Sequence, residues 1–433
     1  MTLRIALSGD SILERRLLSR SDPQLLRLFE LIRGADIGFT NLEVLPNDFR
    51  GDPAQESGGS HFGAPSWVID ELSEAGFQLF ATATNHSLDY GVAGLRETMK
   101  QLDRRGATYA GIGRNLEESR RPAYHTHPAG TVALISCCST FAKGQQASEQ
   151  RPDMNGRPGL SGLRVDTVYE VTEAQLAAVR ELGEQLGLEK QRQQRMQLGF
   201  GFPPDDAAVV PLGDMMFRAA EKPAIRMTAK AADVEGIARW VREARAGADL
   251  VLVSLHAHEQ RESKEEPAEF IQPFAHRMIE EGADLVVGHG PHLLRGIEIH
   301  RGKPIFYSLG NFIGQNELVA RLPSDSYDRF RATAELTPLM VYRQRTANDS
   351  RGFPSDARYW ETVVPICSFE GRELRAIELH AVTLGLGEAT HRRGRPRLAD
   401  AADGARILER LAGLSRPFGT MLAIEGARAT IKV

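Results

Sequence analysis

The chain has 433 residues, enough to bury one large core or two smaller ones. A formal net charge of −4, with 42% apolar and 25% charged residues, is ordinary for a globular protein and exerts no global pull on nucleic acid or a membrane surface. The longest apolar runs, Val132 to Ile135 and Leu250 to Val253, are strand-length; the N-terminal IAL stops at Gly9-Asp10 without forming a signal-peptide core, so a cytoplasmic protein is expected.

From the N-terminus, short apolar runs alternate with amphipathic stretches. RIALSG is predicted as a strand, Asp22 to Arg33 as a helix, DIGFTNLE as a strand and SWVIDELSEAG as a helix. QLFATATNH (strand), VAGLRETMKQLDRRG (helix), ATYAGIG and TVALISCC (strands) follow. This alternation predicts an α/β layered domain. Cys137 and Cys138 end one strand and Cys367 stands alone, so buried reduced thiols are expected, not a nucleophile.

From about Phe141 to Asp233 the pattern breaks into a polar, Gly-, Gln- and Arg-rich stretch. It reads as an insertion, 141–233, forming a cap or lid. Its one clear helix begins at Thr172, with Gln175 at capping-box spacing and an apolar stripe of Leu176, Val179, Leu182 and Leu186. Alternation resumes with GIARWVREARAGA (helix), DLVLVSLH (strand), PAEFIQPFAHRMIEEGA (helix, Pro267 near its start), DLVVGH and PIFYSLGNF (strands). LTPLMVY, ARYWETVVPICSF and LRAIELHAVTL are expected as antiparallel edge strands. One domain is thus expected over 1–390, interrupted by the insertion. Residues 391–433 then hold a basic loop, HRRGRPR, and the helix ADGARILERLAGL.

Five predicted strand ends carry unusual residues: Ser8-Gly9-Asp10, Asn41-Leu42-Glu43, Thr84-Asn85-His86, Ser254 to His258, and Gly288 to His292. In open α/β sheets the carboxyl ends of strands deliver side chains into a shared crevice. A lone polar residue at such a place is usually a satisfied core residue or a turn. Five together are costly beside apolar strands unless something satisfies them. Asp10, Glu43, Asn85, His256, His289 and His292 form a mixed oxygen and nitrogen set suited to one or two divalent ions such as Mn²⁺, Co²⁺, Fe²⁺ or Zn²⁺. His258 alternates with His256 on one strand face, which makes it a candidate acid/base group. Asp89 is expected to cap the following helix.

These segments, with ATATNHSLDYGVAGLRETMKQLDRRGATYAGIGRN and GADLVVGHGPHLLRGIEIHRGKPIFYSLGNFI as the sharpest stretches, resemble the CapA family of poly-γ-glutamate synthesis proteins. The resemblance covers about residues 3–140 and 235–390, and the insertion and tail are similar to those of soluble members. It implies the calcineurin-like metallophosphatase fold, a four-layer αββα sandwich with the metals at one edge. It further implies that Asp10 and His292 ligate a first ion, Glu43 bridges, and Asn85, His256 and His289 hold a second. His86 matches the position of a general acid. Tyr307, Ser308, Asn311 and Phe312 fall in a family motif, with Asn311 placed to orient ligands. Two departures stand out. Ile12 occupies the place of a histidine in the Asp-x-His pattern of phosphoesterases of this fold, and Asn-Leu-Glu replaces Gly-Asp-x-x-Asp. The missing imidazole weakens the first ion's set and counts against ordinary phosphoester hydrolysis.

Three reactions fit such residues: phosphoester hydrolysis with His86 protonating the leaving oxygen, amide hydrolysis on polyglutamate or a related peptide, and epimerisation at a peptide α-carbon. Soluble CapA-like enzymes of lasso-peptide biosynthesis resemble the third. His86, His258, His292 or Asp10 would remove and return the α-proton. A peptide-type substrate and epimerisation are favoured, without nucleic-acid or membrane partners. A metal-stabilised binding protein without turnover is the non-enzymatic reading.

Overall fold

Side chains of the first strand, Thr2–Ile12, alternate between two apolar environments, as period two demands. Leu3, Ile5 and Leu7 face inward with Phe39, Leu134, Leu252 and Val287, whereas Ala6 faces outward beside Leu28, Phe29, Ile69 and Leu72 of two helices. On the other side, Val251 and Val253 face outward onto Ile237, Val241, Phe274 and Met278 of two more helices. The computed structural model, which describes residues 2–17 and 22–432, is therefore an α/β protein with two stacked sheets between helical layers: the αββα sandwich that the resemblance implied.

The larger sheet has 10 strands. Its path runs Leu422–Glu425, Arg428–Ile431, Glu373–Thr383, Glu361–Glu370, Thr2–Ile12, Ile37–Leu42, Leu79–Ala81 and Thr108–Ala110, with Asn311–Gly314 also against the first strand and Arg397–Leu398 against Glu373–Thr383. The smaller sheet has 6, ordered Ile297–His300, Lys303–Phe306, Leu285–His289, Leu250–His256, Gly130–Cys138 and Ala123–His127. None of the helices among the described residues is long and apolar enough to cross a membrane. All three cysteines are free and buried, and burial pushes the Cys137 thiol up to about 12, so it stays protonated.

Several elements differ from their sequence readings. PIFYSLGNF is two strands, Lys303–Phe306 and Asn311–Gly314, which enter different sheets. The chain crosses between them at Gly310, whose φ of 69° suits glycine. LTPLMVY is not a strand but the start of a helix, Pro338–Arg345: Pro338 is preset for a first turn, and the Thr337 hydroxyl accepts a hydrogen bond from the Met340 amide. The helix expected to start near Pro267 is Ile271–Glu280, with Pro273 in its first turn, where a missing N–H costs little. Asp89 does not cap the Gly91–Arg104 helix, because its carboxylate is drawn to the Phe62 amide and to His86.

The capping box of Thr172 and Gln175 starts the helix Glu173–Gln185, but only the front of the stripe is packed: Leu176 is buried and Leu182 and Leu186 are exposed. Residues 141–233 also build a four-stranded sheet, which reaches the main body at Glu269, whose carboxylate accepts from the Met227 amide (2.8 Å) and Arg226 (3.1 Å). In the basic loop, Arg393 is buried against Glu317 and Asp349, and Arg397 pairs with Glu388. These arginines anchor neighbouring segments instead of presenting a free cationic surface. Beyond the last helix, Ala401–Ser415, the tail adds a hairpin to the larger sheet.

A Cβ on Gly9 would lie 1.9 Å from the Gly310 carbonyl oxygen, backbone against backbone. Gly9→Ala is expected to cost about 1–3 kcal/mol, read as a lowered urea midpoint. An unchanged midpoint would contradict this contact.

Candidate metal centre

Parallel pairing aligns the strand ends that carry the polar residues. His256 pairs with His289 as the last residues of adjacent strands, and Asp10 lies opposite Asn41 on one side and Asn311 on the other. The rims of the two sheets thereby face each other. Asn41 spans them, its Nδ2 lying 2.9 Å from Asp10 Oδ1 and 3.4 Å from His256 Nδ1. Asp10 also accepts from the Gly290 amide at 3.2 Å and lies 3.3 Å from His289 Nδ1 and 3.5 Å from His292 Nδ1. Glu43 Oε1 is 3.7 Å from His256 Nε2, and its Oε2 is 3.7 Å from His292 Nδ1.

The turn after His289 is strained. His292 adopts φ 63°, rare for a residue with a side chain, and its ring is fixed by Asn311, 2.9 Å from Nδ1. Phe353 meets that ring at 5.2 Å. His258 points to the same place: its Nε2 is 3.1 Å from His256 Nε2, and single ligand atoms of Glu43, His258 and His292 all fall within 4.8 Å of one another. The buried guanidinium of Arg295 holds the loop that presents His258, donating to the carbonyls of Glu259 (2.9 Å), Lys264 (2.9 Å) and Ala257 (3.4 Å).

From the larger sheet come Asn85 and His86. His86 Nδ1 is 2.7 Å from Asp89 Oδ2, both side chains are buried, and Phe62 packs on the imidazole at 4.3 Å. Gly58 lies so close that a Cβ there would fall 1.8 Å from Asn85 Nδ2. Contacts over the centre therefore come from residues 44–64 and 316–360, whereas the sheet of 141–233 engages Glu269. The sequence reading named Asn41 only as part of its strand end, did not single out Arg295 or Phe353, and gave Asp89 another role; the His-x-x-Asp spacing in a turn was the available signal for the His86–Asp89 pair.

The donor set fits a cation. Both carboxylate oxygens of Glu43, Oδ1 of Asn41 and of Asn85, and both ring nitrogens of His289 are buried without a hydrogen-bond partner. Each such orphan costs about 1–3 kcal/mol if nothing satisfies it. Charge agrees. Burial works to raise the Asp10 carboxyl, but the adjacent imidazoles of His289 and His292, 3.3 and 3.5 Å away, hold it well below the usual carboxylate range. Burial, with the charges of Asp10 and Asp89, drives Glu43 well above its range, so Glu43 needs a cation to stay ionised. Burial pushes His256 down to about 3 and His258 well below its usual value, which leaves neutral imidazoles with lone pairs to offer.

An uncharacterized protein of Sinorhizobium fredii, y4sH, is 34% identical over 98% of this chain and 92% of its own length. The PGA biosynthesis protein CapA of Bacillus subtilis is 22% identical over 57% of this chain and 44% of its own length. A probable polyglutamine synthesis accessory protein of Mycobacterium tuberculosis is 25% identical over 62% of this chain and 52% of that protein. With residues 4–316 matching the family described as "Bacterial capsule synthesis protein PGA_cap", the chain belongs to that family.

Proposed function

We propose that this chain is a metal-dependent acid/base enzyme that epimerises a peptide-type substrate at an α-carbon. The observation that carries the reading is the convergence of imidazoles from opposite sheets, His86 from the larger and His258 from the smaller, on one cluster of unsatisfied buried ligands. Relatives named for PGA biosynthesis and polyglutamine synthesis support an amide-linked substrate.

In this reading Asp10, Glu43, Asn85, His256, His289 and His292 hold one or two divalent ions. Bound there, the metal supplies a Lewis acid that polarises a carbonyl and stabilises charge developing on its oxygen. His86 and His258 flank the α-carbon. One takes its proton and the other returns a proton to the opposite face, inverting the centre with no net change in composition. Asp89 holds the His86 ring in place through Nδ1 and leaves Nε2 to face the substrate. Phe62 and Phe353 pack beside His86 and His292 and keep water from the reacting carbon.

Hydrolysis is the second reading, favoured by one feature: a buried His86–Asp89 pair next to Asn85 suits a general acid for a leaving group. Incubation of host peptides with Mn²⁺- or Co²⁺-loaded protein in D₂O separates the two. Epimerisation gives uptake of one deuteron without cleavage, whereas cleaved peptide or released phosphate would return the protein to the hydrolases. His86→Gln is expected to lower turnover about 10²–10⁴-fold at unchanged metal content. His258→Gln is expected to do the same; loss of metal in that variant would make His258 a ligand instead of a base. His289→Ala should lose at least one equivalent of metal by elemental analysis, and undiminished metal would sink the ligand assignment.

A further inference from the structure

The rim of the smaller sheet opposite the metal centre carries a second group of metal-ligating side chains. Glu298 and His300 alternate along the edge strand Ile297–His300, so both project to one face. His276, on the Ile271–Glu280 helix, meets them there. His300 pairs with Lys303, the first residue of the neighbouring strand, which puts this cluster at the end of the sheet away from His256 and His289.

We propose that His276, Glu298 and His300 form a separate site for a borderline divalent transition metal such as Zn²⁺, Ni²⁺ or Co²⁺. One ligand atom from each residue falls within 4.8 Å of the others, the span a single ion bridges. Two imidazoles and one carboxylate prefer such ions to Mg²⁺ or Ca²⁺, which favour oxygen. The second observation concerns His300: its Nε2 is shielded from solvent without a hydrogen-bond partner, and the nearest carboxylate, Glu280 Oε1, is 3.8 Å away as a potential fourth ligand. Glu298 is already oriented. It accepts from the Tyr307 hydroxyl and from Gln272 at 3.2 Å, while one of its oxygens lies 2.9 Å from His276 Nε2. Such outer partners hold ligands in metal sites.

The two rings stack at 3.8 Å and 7°, so their in-plane lone pairs lie in parallel planes and do not meet at one point. Binding requires His300 to turn about its Cβ–Cγ bond, and no hydrogen bond to Nε2 resists that turn. An ion there would link the edge strand Ile297–His300 to the Ile271–Glu280 helix.

The test is calorimetric titration of chelator-stripped full-length protein with Zn²⁺, comparing wild type with His276→Ala/His300→Ala, His300→Gln and His289→Ala. We expect wild type to bind one equivalent more than the double variant, and His289→Ala to retain that event. His300→Gln should weaken it at least about 100-fold, since losing a direct ligand exceeds the 10–100-fold loss of an outer one. Equal stoichiometry in wild type and a folded double variant overturns the site. If the double variant does not fold, an unchanged isotherm for His300→Gln overturns it.

Discussion

The hydrogen bond from the Asp10 amide to the Gly310 carbonyl, 2.9 Å long, exists because position 9 carries no side chain. Gly310 ends the crossing by which the chain leaves the smaller sheet at Phe306 and joins the larger at Asn311. This contact ties the first strand to the crossing segment where Asp10, Asn311, His289 and His292 converge, and the Gly290 amide adds a tie from the smaller sheet to the Asp10 carboxylate. Asn41 repeats the link with a side chain, touching Asp10 and His256. Asp10, His256 and His289 need no loop to find one another, because they stand on strands whose registers are set by the apolar core beneath; Asn85 and His292 come from the turns that follow such strands.

That dependence explains what could be read from sequence. Leu3, Ile5 and Leu7, or the run Leu250 to Val253, announce strands because burial imposes their period, and strands buried on both faces are near-continuously apolar. Once strands are known, polar residues at their carboxyl ends are conspicuous, so Asp10, His256 and His289 were legible individually. The layer order was legible from alternation and resemblance together. What was not legible depends on contacts distant in sequence. Asp89 looks like a helix cap until Phe62 and His86 are beside it. Arg295 looks like a surface arginine, yet it is buried against three carbonyls of a loop more than thirty residues earlier. LTPLMVY has a strand's composition, and its helical state rests on Thr337 and Pro338 at the start.

Segment 316–360 shows the same logic in electrostatic form. Arg393 reaches Glu317 and Asp349, 2.7 Å from the latter, and so closes a stretch of short helices and turns into a fixed wall. From that wall Phe353 reaches His292, and the Tyr359 carbonyl accepts from Asn311 Nδ2 at 3.2 Å. The basic loop is thereby spent in part on internal carboxylates. Buried ion pairs of this kind position a segment more reliably than they stabilise it.

The place of the first strand has a consequence for how the chain comes into being. Thr2–Ile12 pairs on one side with Ile37–Leu42, close in sequence, and on the other with Glu361–Glu370, hundreds of residues away, beyond which the sheet continues through Glu373–Thr383 and Arg428–Ile431 to its edge at Leu422–Glu425. Pairings separated by hundreds of residues are slow to form and leave strand edges open in the interim. Until Glu361–Glu370 is available, Asp10 and Glu43 stand beside an unfilled sheet position. Chaperone demand should therefore concentrate on the segment around Thr2–Ile12 until that distant strand has paired.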